Sequence, residues 1–490
     1  MTGTTKIKLS EMKCRYKSLL LFSFSFLLLI FAGCNKLKDD RNAIADESLK
    51  LNLFELISAN AQLSTFAGFL KQTGYDKVIS SSKNYTVFAP VNSALANLSA
   101  AVTGDPVKLK QFVGNHIANQ LFSTREVVTT TRIAMLNGKY NNMLRNTIET
   151  ATIGTTDKYA ANGLLQIINQ YLPALDNSWE FLNSADAPVK QKTFMLSLFR
   201  NVYDTSNAVV VGINPVTGDP IYAAGTDSVF TNLFWNRVHD LKKEDKQYTL
   251  FMLTDAAWDA EVAKFTPYFV TNTADSNTLV TSWNVVKEFA VDTLYNPSSI
   301  PDTIVSEFGT KLPVNKSAIV KTIKTSNGIV YIMNKMDVQP ASKFKTYLIE
   351  AEQYSATSHD RRGNTYFRER FSTVTQTDFT DVLVENHGVS LFNIRYDLPE
   401  VPSIKYKAYW VAVNDFQAAN FNQKLGIGTP TSTTFGYTAV TSLNYNEVYI
   451  GEFTMAKYEP VFPIYLTAAN STARAVNPLV CDYIKLVPSL

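Results

Sequence analysis

Cysteine is scarce in this 490-residue sequence: Cys14, Cys34 and Cys481 are the only three. That number excludes a disulfide framework or a four-thiolate metal site within one chain. There are four histidines, His116, His239, His359 and His387, and no two stand at metal-ligand spacing. The sequence has no Gly-x-Ser-x-Gly elbow, no His-Glu-x-x-His helix, no glycine-rich phosphate loop and no repeated Asp-x-Asp loop. Serine-hydrolase, zinc-protease and nucleotide-dependent chemistries therefore have no motif to rest on. A glycosidase, which needs only two carboxylates about 5 to 10 Å apart, stays open.

Long apolar runs are also missing, except at the amino end. There Lys6, Lys8, Lys13, Arg15 and Lys17 precede the apolar stretch Leu19 to Phe31, and Ala32-Gly33-Cys34 follows. A bilayer-spanning helix needs about 20 apolar residues and this run has about 13, so the order cationic, apolar, small predicts a secretory signal. Phe31-Ala32-Gly33-Cys34 resembles the bacterial lipobox. That resemblance implies that residues 1–33 are removed and that Cys34, now the first residue, carries a diacylglycerol. Residues 34–45 are then a linker, and two or three acyl chains hold the body on a membrane. Lys38-Asp39-Asp40 resembles the tract that sends some lipoproteins to the outer face of the outer membrane; a merely solvated linker, with the protein on the periplasmic face, is the alternative. Removing five cations and Glu11 takes the whole-chain charge of +3 to about −1. No like-charge block remains, and no nucleic-acid partner is expected.

The remaining chain is organised by a repeat. Tyr85-Thr-Val-Phe-Ala-Pro-Val-Asn-Ser-Ala94 is answered by Tyr248-Thr-Leu-Phe-Met-Leu-Thr-Asp-Ala-Ala257, and Ala161-Asn-Gly-Leu-Leu-Gln-Ile-Ile168 by Ser326-Asn-Gly-Ile-Val-Tyr-Ile-Met333. Thr86 and Thr249 are 163 positions apart and Asn162 and Asn327 are 165 apart, so both motifs keep their order and spacing. In the first motif Thr86 and Phe88 belong to a β-forming run that Pro90 ends, and Asn92 is placed to cap the helix after it. In the second copy Thr254 or Asp255 is placed to do the same. Asn162-Gly163 and Asn327-Gly328 are turn pairs before apolar strands. The pair of motifs resembles the fasciclin-like domain, giving modules at 46–174 and 175–341. His116 falls where that family has a bracing histidine, and is read as structural; the second copy has Phe289-Ala290 instead. Around 205–230 the second copy carries an inserted hairpin, Ala208 to Gly212 and Ile221 to Ala224 about Pro215 to Pro220, open to a reading as partner contact or as neutral decoration.

After Pro340 short strand-like runs alternate with turn-rich gaps: Tyr347 to Tyr354, Ser390 to Tyr396, Lys405 to Val413, Glu447 to Ile450, Val461 to Leu466 and Leu479 to Val487. This predicts a β-sandwich or jelly roll over 342–490. Cys481 lies in an apolar run and is read as a small buried hydrophobe. The first and last strands, with Glu350-Ala351-Glu352 and Asp482 to Pro488, resemble the ends of jelly-roll carbohydrate-binding modules. The resemblance implies that these strands pair and that Glu352 and Asp482 ligate a structural calcium, while surface carboxylates are the plainer reading. A sugar ring needs an aromatic platform, for which Tyr409, Trp410, Phe435 and Tyr437 are candidates. Neighbours such as Tyr409 and Trp410 face opposite ways on a strand, so one or two at most can serve.

The expected fold is therefore α+β: two tandem fasciclin-like domains, then an all-β jelly roll. The expected function is a non-enzymatic cell-surface lipoprotein for adhesion or for binding polysaccharide or a surface protein. The alternatives are an enzyme acting on polysaccharide through carboxylates and a structural accessory of an outer-membrane glycan-uptake complex.

Overall fold

A computed structural model describes residues 47–490, so the expected signal and Cys34 lie outside the described residues. The chain falls into two compact units, the first ending at Ala174 and the second spanning Leu175–Leu490. Among the described residues, no helix is long and apolar enough to cross a membrane.

In the first unit the strand Tyr85–Pro90 is buried at every position, as its apolar sequence requires, because both of its faces are packed, Val87 and Ala89 in one core and Phe88 in another. It pairs in parallel with Gly163–Ile168, from Tyr85 opposite Gly163 to Pro90 opposite Ile168. Ile117–Ala118 lies on its other edge, and Ala151–Ala160, Thr147–Ile148, Tyr140–Leu144 and Thr131–Ala134 extend the seven-stranded sheet beyond Gly163–Ile168. The helices Leu53–Ser58, Ser64–Thr73 and Pro106–Gly114 bury Leu53, Phe66, Leu70, Leu109 and Phe112 in one core with Val87 and Leu165.

The second unit repeats this plan. Tyr248–Leu253 pairs in parallel with Gly328–Met333, again beginning with tyrosine opposite glycine, between Ala290–Val291 and Ile319–Thr325. The repeated residues do the same work twice. Thr86 Oγ1 donates to the Gln120 carbonyl at 2.7 Å and accepts from Phe122 N–H at 2.9 Å; Thr249 Oγ1 donates to the Thr293 carbonyl at 2.7 Å and accepts from Tyr295 N–H at 2.9 Å. Asn162 donates to the carbonyls of Ile79 and Ser81 and accepts from Leu53 N–H. Asn327 donates to those of Leu241 and Lys243 and accepts from Ser178 N–H. Each asparagine thus ties the turn to two segments far away in sequence. The glycine after it is needed for close approach: a Cβ on Gly163 would lie 2.2 Å from the Tyr85 carbonyl oxygen, and one on Gly328 2.1 Å from that of Tyr248.

His116 is fully buried between Phe112 and Phe66. Its Nδ1–H donates to the Phe112 carbonyl at 2.8 Å and its Nε2 accepts from Leu172 N–H at 2.9 Å, which fixes a neutral tautomer. Burial holds its pKa down at about 4, against the weaker raising effect of the Phe112 hydrogen bond. Phe289 takes its place in the second copy: the Phe88 N–H bonds the His116 carbonyl and the Phe251 N–H bonds that of Phe289, both at 2.8 Å. Asn92 does not cap the helix after it. It lies inside the short helix Asn92–Leu95, and its side chain accepts from Thr65 N–H and donates to the Ala61 carbonyl, stapling the start of Ser64–Thr73. Thr254 does occupy the cap position of Asp255–Phe265, but without a side-chain cap bond.

The insertion is a longer arm than its central turn suggested. Phe199–Tyr203 pairs with Ser228–Asn232, and beyond them Val210–Ile213 pairs with Pro220–Tyr222. Its apolar side chains Tyr203, Val210, Val211, Ile213 and Phe230 are exposed.

The rest of the second unit is a β-sandwich built from sheets of four, five and three strands. Tyr347–Glu350 and Tyr483–Ser489 do pair, antiparallel, and Lys405–Trp410 and Val448–Thr454 complete that four-stranded sheet. Asn393–Val401, Glu459–Ala468 and Phe421–Ile427 form the centre of the five-stranded one. Second repeat and sandwich share one continuous apolar core, to which Phe269, Phe344, Tyr406 and Trp410 all belong. Cys481 is fully buried and burial pushes its thiol pKa up, as befits an inert packing residue.

Candidate binding surface

The strand Lys405–Trp410 alternates strictly: Tyr406, Ala408 and Trp410 point into the core, while Lys405, Lys407 and Tyr409 face outward. Trp410, at 1% exposure, is therefore no platform, which corrects the expectation from sequence. Phe435 is also inside, 7% exposed, because Gly451 leaves room for its ring: a Cβ there would come within 2.8 Å of it. Both rings are taken by core packing, Phe435 edge-on to Phe453 at 6.0 Å. Tyr409 and Tyr437 remain reachable but belong to different sheets, since Tyr437 leads into Thr438–Val440 of the five-stranded sheet. Tyr437 also gives its hydroxyl proton to the Ala468 carbonyl at 3.2 Å. The four candidates do not form one platform.

What Tyr409 does join is a tyrosine face that the sequence did not reveal. On the neighbouring strand the register slips between Ala408 and Tyr409, so that Ala408 pairs with Gly451 but Tyr409 with Tyr449 rather than Ile450. This bulge turns Tyr449, 52% exposed, to the same side as Tyr409, and the rings meet at 5.2 Å. On the other edge Tyr409 pairs with Lys485, whose ammonium sits 5.1 Å above the Tyr409 ring and is ion-paired with Glu447. Tyr483 donates its hydroxyl proton to the same Glu447 carboxylate at 3.0 Å. The outcome is an exposed aromatic patch beside fixed donors and an acceptor, a surface on which the C–H face of a pyranose can pack while its hydroxyls reach Lys485 and Glu447.

The structure brings the expected calcium pair, Glu352 and Asp482, into electrostatic reach of each other. The Asp482 carboxyl is pushed up to about 7, first by burial and then by the negative charges of Glu350, Asp381 and Glu352. Glu352 Oε2 is buried with no hydrogen-bond partner among the described residues. Both facts describe negative charge without compensation, which a hard cation would relieve. Among the described residues, however, no group of three or more acidic, histidine or cysteine side chains is placed to hold a metal ion. Glu352 and Asp482 thus fit one end of a calcium shell, and most of the six to eight oxygens it requires would be main-chain carbonyls and water.

Residues 61–174 match the family model for the Fasciclin domain. The first module is similar to a fasciclin domain. No curated protein matches the chain. Among solved structures, the FAS1 domain pair of the insect cell adhesion molecule Fasciclin I is 13% identical over 58% of this chain and 100% of that one, with a TM-score of 0.23. A family 6 carbohydrate-binding module is 16% identical over 29% of this chain and 94% of its own, with a TM-score of 0.20. A family 35 module from Clostridium thermocellum is 15% identical over 29% and 98%, with a TM-score of 0.21. At TM-scores this low the likenesses carry no functional argument. The strand pairing itself gives the fold class: α+β, with two tandem fasciclin-like domains followed by an all-β sandwich.

Proposed function

We propose that the chain is a non-enzymatic lipoprotein of the outer-membrane surface, anchored through Cys34, that binds polysaccharide or a surface protein. The observation that carries the binding reading is the outward-facing Tyr409–Tyr449 pair, half-buried Tyr409 beside exposed Tyr449, flanked by Lys485 and Glu447. The fasciclin domain at 61–174 and the structural roles of its motif residues support binding over catalysis, since Thr86, Asn162, Gly163 and His116 are all consumed by main-chain contacts. The amino-terminal signal and lipobox support the anchor and the location, and acylation at Cys34 would leave the described body free in water.

The test is a glycan array probed with the whole chain, alongside fractionation of cells carrying the wild type and Cys34→Ser. Binding to a defined set of polysaccharides, and transfer of the variant from membrane to soluble fraction, are the expected results. Release of shortened sugars from a bound polysaccharide would replace this reading with that of a carboxylate enzyme. Co-purification from membranes with an uptake complex, without any glycan binding, would replace it with that of a structural accessory.

A further inference from the structure

Where the second repeat meets the sandwich, a cavity of about 420 Å³ opens that none of the motifs explains. Its aromatic walls are Phe269, Phe308, Phe344 and Tyr347, and Tyr406 lies at its buried floor. The volume lies in the range of small-ligand pockets, about 300 to 1,000 Å³. Its charges do not balance: Arg237, Lys287, Lys343 and Lys345 line it against Glu288 and Glu400.

One carboxylate, Glu400, is shared by Arg237 at 2.6 Å and Lys287 at 3.1 Å. The other, Glu288, takes Lys343 at 2.6 Å and also accepts from the Ser306 hydroxyl. Among the described residues, Lys345 meets only the Phe308 carbonyl. Two carboxylates therefore serve four cations, so the cavity carries a surplus of positive charge that draws an anion, an attraction that solvent weakens at the exposed Arg237 and Lys345. The cations are also held in place. Arg237 lies 5.5 Å over the Trp283 ring and Lys287 4.8 Å over that of Phe308. At the floor, the Tyr406 hydroxyl is buried beside that of Tyr347, which gives its own proton to the Glu400 carbonyl at 3.0 Å and can accept one from Tyr406.

We propose that this cavity binds a small carboxylate-bearing sugar, a hexuronate: the carboxylate meets the excess cations at Arg237 and Lys345, and the ring lies against Phe308 and Tyr347. The site is separate from the tyrosine face, which uses the outward residues of the four-stranded sheet, so either can fail without the other.

The test is isothermal titration of the whole chain in detergent with galacturonate, galactose and inorganic phosphate. Galacturonate is expected to bind and galactose not to. Lys345→Gln, which leaves both carboxylate ion pairs intact, should weaken binding by about tenfold, the worth of one charge-assisted hydrogen bond. A cavity that only glues the two modules together predicts no binding at all, and that result overturns the proposal. So does equal binding of galactose, which removes the role of charge. Phosphate binding as tightly as galacturonate removes the role of the ring, and an unaffected Lys345→Gln removes the site.

Discussion

Lowering the pH should destabilise the first unit through a single side chain. His116 is neutral in the folded protein because its two nitrogens face a carbonyl and an N–H, and protonating Nε2 would set it donor against donor with Leu172. With a folded pKa of about 4 against 6.5 for the free side chain, the unfolded chain binds the extra proton first. The stability from keeping His116 neutral is thus complete above pH 6.5 and is lost as the pH falls toward 4. Between pH 8 and pH 5 the loss is about 2 kcal/mol, approaching about 3 kcal/mol at lower pH. For a unit of roughly 130 residues this lowers the melting temperature by about 8 °C at pH 5. The assay has a built-in control. All five tryptophans, Trp179, Trp235, Trp258, Trp283 and Trp410, are in the second unit, so tryptophan fluorescence follows that unit alone while far-UV circular dichroism follows both. In the second unit Phe289 replaces the histidine, and protonation of Asp482, whose folded pKa is raised to about 7, adds stability as the pH falls. Partial burial of His239 and His387 works in the opposite direction there. The large acid shift should therefore appear in the transition that tryptophan does not see. His116→Phe should be less stable at pH 8, with the Leu172 N–H and Phe112 carbonyl left unbonded, but should lose the acid shift. An acid shift of equal size in wild type and variant would refute the assignment.

Three further outcomes follow from the same geometry. Asn162→Ala removes three hydrogen bonds, two of them buried, and should cost about 3 kcal/mol in the transition invisible to tryptophan, whereas Asn327→Ala should cost a similar amount in the visible one, as guanidinium melts of both variants will show. Replacing the arm's tip, 207–224, by a short turn should leave both transitions within about 1 kcal/mol, because Val210, Val211 and Ile213 are exposed; a larger loss would mean that the tip is part of the fold. Millimolar calcium at pH 8 should raise the tryptophan-reported melting temperature, and Asp482→Asn should abolish that rise while stabilising the calcium-free protein, since it removes an uncompensated charge; calorimetry with and without a chelator decides.

The parts legible in the sequence were those whose function is local or repeated. Asn162 and Asn327, Thr86 and Thr249, and the two glycines recur at matched spacing because each copy needs the same main-chain bonds, and a repeat exposes such needs without any structure. The reason for the glycines was less visible: the Asn-Gly pair reads as a turn, but it is the crossing of Tyr85 or Tyr248 that forbids a side chain. Asn92 has the composition of a cap, and only the nearness of Ser64–Thr73 shows where its amide goes. Alternation could say that Tyr409 and Trp410 face opposite ways but not which of them is inside. Tyr449 was out of reach, since its place beside Tyr409 depends on a bulge in a partner strand about 40 residues away. The cavity lies further still from any local signal, because Arg237, Lys287 and Glu400 meet only once the second repeat and the sandwich have packed on one core.

The central claim, that the tyrosine face of the sandwich is a binding surface, is tested most directly by affinity electrophoresis through gels containing the polysaccharides that bind the wild type. Tyr449→Ala alters an exposed side chain and Tyr409→Ala an outward-facing, half-buried one, so both variants should remain folded. If the account is right, each loses retardation, with binding weaker by more than about tenfold. Retardation equal to wild type in the double variant would contradict it.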